Sequence, residues 1–272
     1  QAAVCEQESR KQELTELAGI CRRVPYEPAR TFHEAVQSIY FILLAVHLES
    51  NGHAISLGRF DQYVYPYYQK DVAEGRLTPE KALEIVECFF IKCNELNKLR
   101  SWGDSEFFLG YQMFINLAVS GQDQFGNDVT NDVSHLCIKA CAELRLVTPS
   151  VSIKCFEKTD EALLMEALEA SVTHQGGMPA FYNDRAFMDT LRGMGIAEED
   201  LCDWTPDGCI EASIPGKWDF AAKGPWLNVE KVLDITLHNG VDPKSGHLYK
   251  ATSKRIEDCT TMEEIFKEYT DM

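Results

Sequence analysis

The sequence of 272 residues predicts the α/β class, because strand-like segments are separated by helical ones. Three observations carry that prediction. Apolar residues recur at helical spacing after Thr31, after Thr78, from Asn131 to Leu144 and from Asp160 to His174. Pro149 to Phe156 alternates as a strand does, with Val151, Ile153 and Cys155 on one side. Phe107 to Ser120 is apolar and reads as a strand with flanking loop, and Ala180-Phe181-Tyr182 as a short strand.

In chain order, residues 4–23 are charged and helix-prone, with Leu14, Leu17 and Cys21 on one side. Thr31 caps the next helix, with Glu34 three residues on to complete a capping box. Its apolar side holds Ala35, Ile39, Ile42, Leu43 and Val46, and it ends near Asn51-Gly52. A glycine-rich loop leads to Gln62–Tyr68 and a short helix reaching Gly75. Thr78-Pro79-Glu80 opens a strong helix running to about Leu99, with proline at its first position. Ala186 to Met194 is a helix stopped by Gly195. Asn228 to Asn239 is another, closed by Asn239-Gly240. A turn over Val241–Gly246 precedes a helical tail from Met262. No repeat, low-complexity stretch or linker interrupts this order, so residues 1–272 read as one domain, incomplete at both ends: the first residue is Gln and the last lies in a helix.

Bulk properties exclude several functions. With 43 acidic against 26 basic residues the net charge is −17, which repels nucleic acid and anionic membranes. The longest apolar run, Ile39 to Leu48, falls short of the roughly 18 to 20 residues that span a bilayer. Ten cysteines show no disulfide-scaffold spacing, and a 45% hydrophobic chain needs no stapling, which suits a reducing cytoplasm. Cys88 with Cys93, and Cys137 with Cys141, lack a second ligand pair at zinc spacing, so no metal is expected. Neither a P-loop nor a dinucleotide fingerprint is present.

The most informative segment is Asp207-Gly208-Cys209-Ile210-Glu211-Ala212. In an extended tip, positions i and i+2 share a side, so Cys209 and Glu211 are expected to point into one cavity while Ile210 packs behind. Gly208 permits a backbone shape closed to other residues. A thiol beside a carboxylate, with no adjacent histidine, makes a poor cysteine-protease pair, because a thiolate would lack an activating cation. The pair suits a sulfur radical that takes a hydrogen atom next to a base that takes a proton.

Gly208–Glu211 followed by Ile214-Pro215-Gly216-Lys217 resembles the cysteine loop of glycyl radical enzymes of the pyruvate formate-lyase-like group. Further blocks agree in order: Pro28–Ala35, Glu49–His53, Gly58–Tyr63 with Tyr65–Tyr68, and Gly176–Asp184. The resemblance implies part of an α/β barrel of ten strands in two five-stranded halves, wrapped by helices, with the cysteine on a loop through its centre. It implies that Cys209 is the thiyl position and Glu211 the general base. It also implies no directly bound cofactor: the radical resides on a glycine near the C-terminus, installed by a radical-SAM activating enzyme. No Arg-Val-x-Gly-Tyr-like stretch occurs in these residues, so the chain alone is expected to be inactive. A homodimer and a small-molecule substrate are the implied partners.

Substrate contacts are expected from His53, which lies in a loop, and from Phe114 with Tyr111, where the family places an aromatic pocket wall. Ala54 stands where relatives often carry serine, and Ala212 where many carry proline, so a polyol is not assured as substrate. Lys223 or Trp226 is expected to line the pocket instead, the lysine suiting an anionic substrate. Arg59 and Asp61 are expected to pair structurally. Glu211, with no second cysteine beside Cys209, favours a dehydratase or another carbon–heteroatom lyase over pyruvate formate-lyase itself. The alternatives are a decarboxylase of arylacetates and a non-catalytic shell.

Overall fold

The computed structural model describes residues 1–272 apart from 51, 109, 111, 175 and 219–227. It divides into two compact units, Gln1–Phe220 and Ala221–Met272. In the first unit the helices α1 (Glu8–Arg23), α2 (Phe32–Ser50), α3 (Phe60–Ala73), α4 (Pro79–Asn94) and α5 (Trp102–Phe107) precede strand β1 (Asn116–Ser120). Helix α6 (Asp132–Leu144), strand β2 (Ser150–Cys155), helix α7 (Glu161–His174) and strand β3 (Ala180–Asn183) follow. Helices α8 (Asp184–Gly193) and α9 (Glu198–Leu201) then lead into the short strands β4 (Thr205–Asp207) and β5 (Glu211–Ser213).

Caps fix most helix starts. The Thr78 side chain accepts from Lys81 N, and Asn131 accepts from Val133 N and Ser134 N while the Ser134 hydroxyl takes the Asn131 N–H. At α2, Thr31 Oγ1 accepts from Glu34 N, but the Glu34 carboxylate reaches the Arg30 amide rather than that of Thr31. Two expectations shift and one element is new. Helix α3 runs unbroken through Pro66, α4 ends at Asn94 rather than near Leu99, and a short helix over 102–107 precedes the expected Phe107–Ser120 segment, whose strand is Asn116–Ser120. Helix α5 has no buried residue, so no apolar stripe marks it in the sequence.

β1, β2 and β3 form a parallel sheet in that order, pairing Ala118 with Ser152 and Lys154 with Tyr182. Alternation then sorts the strands into two unlike faces. Leu117, Val119, Val151 and Ile153 occupy one face and join a core with Phe60, Val64, Phe89, Val133, Leu136 and Ile138 from α3, α4 and α6. The other face carries Asn116, Ala118 and Ser120, then Ser150, Ser152 and Lys154, then Ala180 and Tyr182. Most of those side chains are small or polar, yet Asn116, Ala118, Ser120, Ser152 and Lys154 are buried. The β4–β5 hairpin lies over Asn116, while Asp184 and the Cys202–Trp204 segment ahead of β4 cover Lys154.

Asp61 corrects one expectation. It is buried and accepts from Ser120 N at 2.7 Å and Ser134 Oγ at 2.6 Å, tying α3 to the end of β1 and the start of α6. Burial pushes its carboxyl upward. Arg59 bonds elsewhere, donating to the Cys202 carbonyl at 3.0 Å and approaching Asp203 at 3.6 Å. The buried cysteines Cys93, Cys137 and Cys141 belong to the main core, where burial pushes each thiol up. They pack as small hydrophobes.

The second unit contains α10 (Val229–Leu237), capped by Asn228, and α11 (Met262–Asp271), capped by Thr261. Gly240 closes α10 with φ +90°, and a Cβ there would lie 1.7 Å from the Lys250 carbonyl oxygen, so only glycine fits. Among the described residues, no helix is long and apolar enough to cross a membrane.

Candidate active site

The antiparallel β4–β5 pair places Asp207 opposite Glu211, leaving Gly208, Cys209 and Ile210 as a three-residue tip. Gly208 has φ +59°, and a Cβ there would sit 2.9 Å from Glu211 Oε2 and 3.3 Å from the Ala54 Cβ. The glycine is thus required both by its backbone and by its neighbours. The Glu211 carboxylate folds back onto the tip, with Oε2 accepting from Cys209 N at 2.8 Å and Ile210 N at 2.9 Å. Two charge-assisted hydrogen bonds therefore orient it. Ile210 does not pack behind the pair; it is 69% exposed. Strand alternation fails there because the turn at Gly208 ends the extended backbone before Cys209.

The polar face of the sheet holds this tip from below. Asn116 Nδ2 on β1 donates to the Gly208 carbonyl at 2.5 Å, and the Tyr182 hydroxyl on β3 donates to the Cys209 carbonyl at 3.3 Å. Farther along, Pro215 meets Gly58, whose own carbonyl accepts from Ala118 N at 2.9 Å. A second, smaller core of Leu191, Leu201, Trp204 and Ile214, with Tyr182, Phe187 and Ala212 against it, anchors the hairpin's base.

Partial burial and the Glu211 carboxylate both push the Cys209 thiol up. At neutral pH the sulfur therefore keeps its hydrogen, which suits hydrogen-atom transfer better than nucleophilic attack. All ten cysteines are free, and Cys209 is among the exposed ones.

His53 and Ala54 flank the tip on a loop whose backbone has positive φ at both residues, 152° and 57°. The His53 ring stands edge-on to Phe114 at 5.2 Å and to Phe108 at 5.7 Å. Arg100 lies over Phe108 at 4.4 Å and its Nη2 reaches His53 Nδ1 at 3.3 Å. A guanidinium can only donate, so Nδ1 accepts and the neutral ring carries its proton on Nε2. Burial, Lys98 and Arg100 all lower the His53 pKa, while Glu211 opposes them, which places that carboxylate within electrostatic reach of the ring. The arrangement therefore presents a neutral N–H donor within electrostatic reach of the Glu211 carboxylate.

Of the residues expected from sequence, Cys209, Glu211, His53 and Phe114 come together in this way. Tyr111, Lys223 and Trp226 lie outside the described residues. Sequence reasoning missed Arg100, Phe108, Asn116 and Tyr182. Tyr182 sits in one of the blocks quoted above, but nothing in its spacing pointed to the cysteine, and the other three belong to no motif.

Comparison with known proteins shows the family. The Pyruvate formate lyase-like family matches residues 1–272. "Probable dehydratase YbiW" of Escherichia coli (strain K12) is 34% identical over 260 residues, covering 94% of this chain and 32% of the relative. Isethionate sulfite-lyase of Nitratidesulfovibrio vulgaris is 34% identical over 240 residues, 88% of this chain and 29% of that protein. A solved structure from work on 1,2-propanediol dehydration in Roseburia inulinivorans superposes with a TM-score of 0.93 at 38% identity, over 99% of this chain and 34% of that one. The chain thus spans about a third of the length of these relatives, and it belongs to the pyruvate formate lyase-like family of glycyl radical enzymes.

Proposed function

We propose that this chain is the thiol-bearing part of a glycyl radical lyase, a dehydratase or another carbon–heteroatom lyase. The observation that carries the reading is the tip itself: a protonated Cys209 sulfur and an oriented Glu211 carboxylate two residues apart, with a neutral His53 donor in electrostatic reach of that carboxylate. The three-stranded sheet is read as part of a ten-stranded barrel of two five-stranded halves whose centre receives the hairpin. Its one small, polar face supports that reading, because a sheet packed only by helices would be apolar there too.

A glycyl radical, installed by a radical-SAM activating enzyme under anaerobic conditions, supplies the vacancy that takes the Cys209 hydrogen atom. The Cys209 thiyl then removes hydrogen from a substrate carbon; S–H and activated C–H bonds are close in strength, so the step is nearly balanced. Glu211 accepts the proton of the substrate hydroxyl on that carbon, which helps the neighbouring group leave with its bonding pair. Cys209 returns its hydrogen atom to the product carbon. His53 Nε2–H binds a substrate oxygen and the Phe114 ring closes the wall beside it.

The leaving group remains the variable. Relatives named for isethionate and for 1,2-propanediol chemistry suggest a small substrate with a hydroxyl next to the leaving group. The test is an anaerobic assay of the native-length protein with its activating enzyme against vicinal diols, hydroxy acids, hydroxysulfonates and arylacetates. A dehydrated or desulfonated carbonyl product is expected. Carbon dioxide from an arylacetate would replace the lyase reading with a decarboxylase, and no turnover of any class would sink both.

A further inference from the structure

The polar face of the sheet carries a buried charge that the proposed chemistry does not use. Lys154, beside Ile153 on β2, has a fully buried side chain. Its Nζ donates to the Cys202 carbonyl at 2.6 Å, lies 3.3 Å from Asp184 Oδ1 and stands 4.9 Å from the centre of the Trp204 ring. Asp184 is also fully buried, and it accepts from Trp204 Nε1 at 2.6 Å and Gln122 Nε2 at 2.9 Å. Trp204 stacks on Phe187 with centroids 4.1 Å apart and planes 4° from parallel. Arg59 donates to the same Cys202 carbonyl at 3.0 Å. Gly121 leaves room for the lysine, since a Cβ there would come within 3.0 Å of the Lys154 Cβ.

Lys154, Arg59, Asp184 and Phe187 thus all meet Cys202-Asp203-Trp204, the segment that runs directly into β4 and on to Cys209. A buried ion pair is a weak way to stabilise a core, because desolvation offsets most of the attraction. What it supplies instead is direction. A carbonyl bearing two cationic donors is fixed in orientation, whereas apolar packing is non-directional.

We propose that Lys154 is a positioning residue for Cys209: with Asp184 and Trp204 it fixes the segment entering β4, and so sets where the cysteine tip rests over the sheet. The inference rests on Cys209 being the reacting thiol, but its test reads no turnover and so stands or falls separately. The charged and titratable groups acting on the ammonium are Asp184 on α8, Arg59 ahead of α3, and Cys202. Burial first and Arg59 second bring the Lys154 pKa down to about 8, with Asp184 and Cys202 opposing. The strut is therefore charged at neutral pH and loses its proton not far above it.

The test is hydrogen–deuterium exchange of the whole chain, read by mass spectrometry, for wild type, Lys154→Met and Lys154→Met/Asp184→Asn. The single variant leaves Asp184 buried without its cation and is expected to lower the melting temperature. The double variant removes both charges and is expected to recover it. In the double variant, hairpin amides 205–213 should exchange about tenfold faster while β1 and β2 keep wild-type protection. In wild type, hairpin protection corrected for base-catalysed exchange should fall between about pH 7 and about pH 9.5, with no such step in the double variant. Wild-type hairpin protection in the double variant overturns the proposal. If the double variant does not fold, Lys154→Met decides by the same comparison of amides 205–213 with β1 and β2.

Discussion

The two faces of one small sheet are built for different tasks, and adjacent residues of a strand show it. Ile153 and Lys154 are both fully buried, but Ile153 enters the main apolar core while Lys154 reaches the segment that carries the cysteine hairpin. Along β1, Leu117 and Val119 pack towards the helices, whereas Asn116 holds the Gly208 carbonyl. The contrast teaches that burial alone does not identify a core position. The apolar face holds the sheet together without preferring a direction; the polar face uses directional bonds to locate one loop.

Substitutions can break this contrast, and the largest effect belongs to the apolar face. Ile153→Ala should cost about 2 to 5 kcal/mol, because it removes a transfer contribution and leaves a cavity. Urea denaturation measures it, and wild-type stability would contradict the assignment of the core. Gly208→Ala should be smaller globally, about 1 to 2 kcal/mol for a side chain in the left-handed region. Its local effect should be larger, since the new Cβ would displace Glu211 Oε2. Faster exchange at the Cys209 and Ile210 amides would report that displacement.

Asn116→Ala sharpens the comparison on the same strand. Losing one hydrogen bond to the tip should cost about 1 kcal/mol and speed exchange across 208–211 without disturbing β2. Loosening of the whole sheet would show instead that Asn116 is a core residue.

The smallest effect is electrostatic. The folded state lowers the His53 pKa from 6.5, so the unfolded chain binds more protons as pH falls through that window. The His53 contribution to stability is therefore complete above pH 6.5 and is lost on acidification below it. An NMR titration should place the imidazole midpoint under 6.5, and Arg100→Ala should raise it; a midpoint above 6.5 would mean that the Glu211 carboxylate outweighs burial, Lys98 and Arg100 at the ring.

Much of this was legible in the sequence, and the gaps have physical causes. Helices with an apolar stripe and a side-chain cap, such as Pro79–Asn94 behind Thr78 and Asp132–Leu144 behind Asn131, announce themselves. Trp102–Phe107 does not, because six exposed residues carry no stripe. The strands of the cysteine hairpin are three residues each, too short for alternation to register, and so the exposed position of Ile210 was misjudged. Cys209, Glu211, His53 and Phe114 came from motif and resemblance. Asn116 and Arg100 could not, since their bonds to Gly208 and His53 join segments distant in the chain and only folding creates them.

The central claim is that the Cys209 sulfur is the atom that takes hydrogen from substrate. The most direct test is electron paramagnetic resonance with product analysis on the native-length protein after anaerobic activation, comparing wild type with Cys209→Ala. The variant is expected to acquire the stable glycyl signal to wild-type extent yet form no product. A Cys209→Ala protein that holds its radical and still turns over substrate would contradict it.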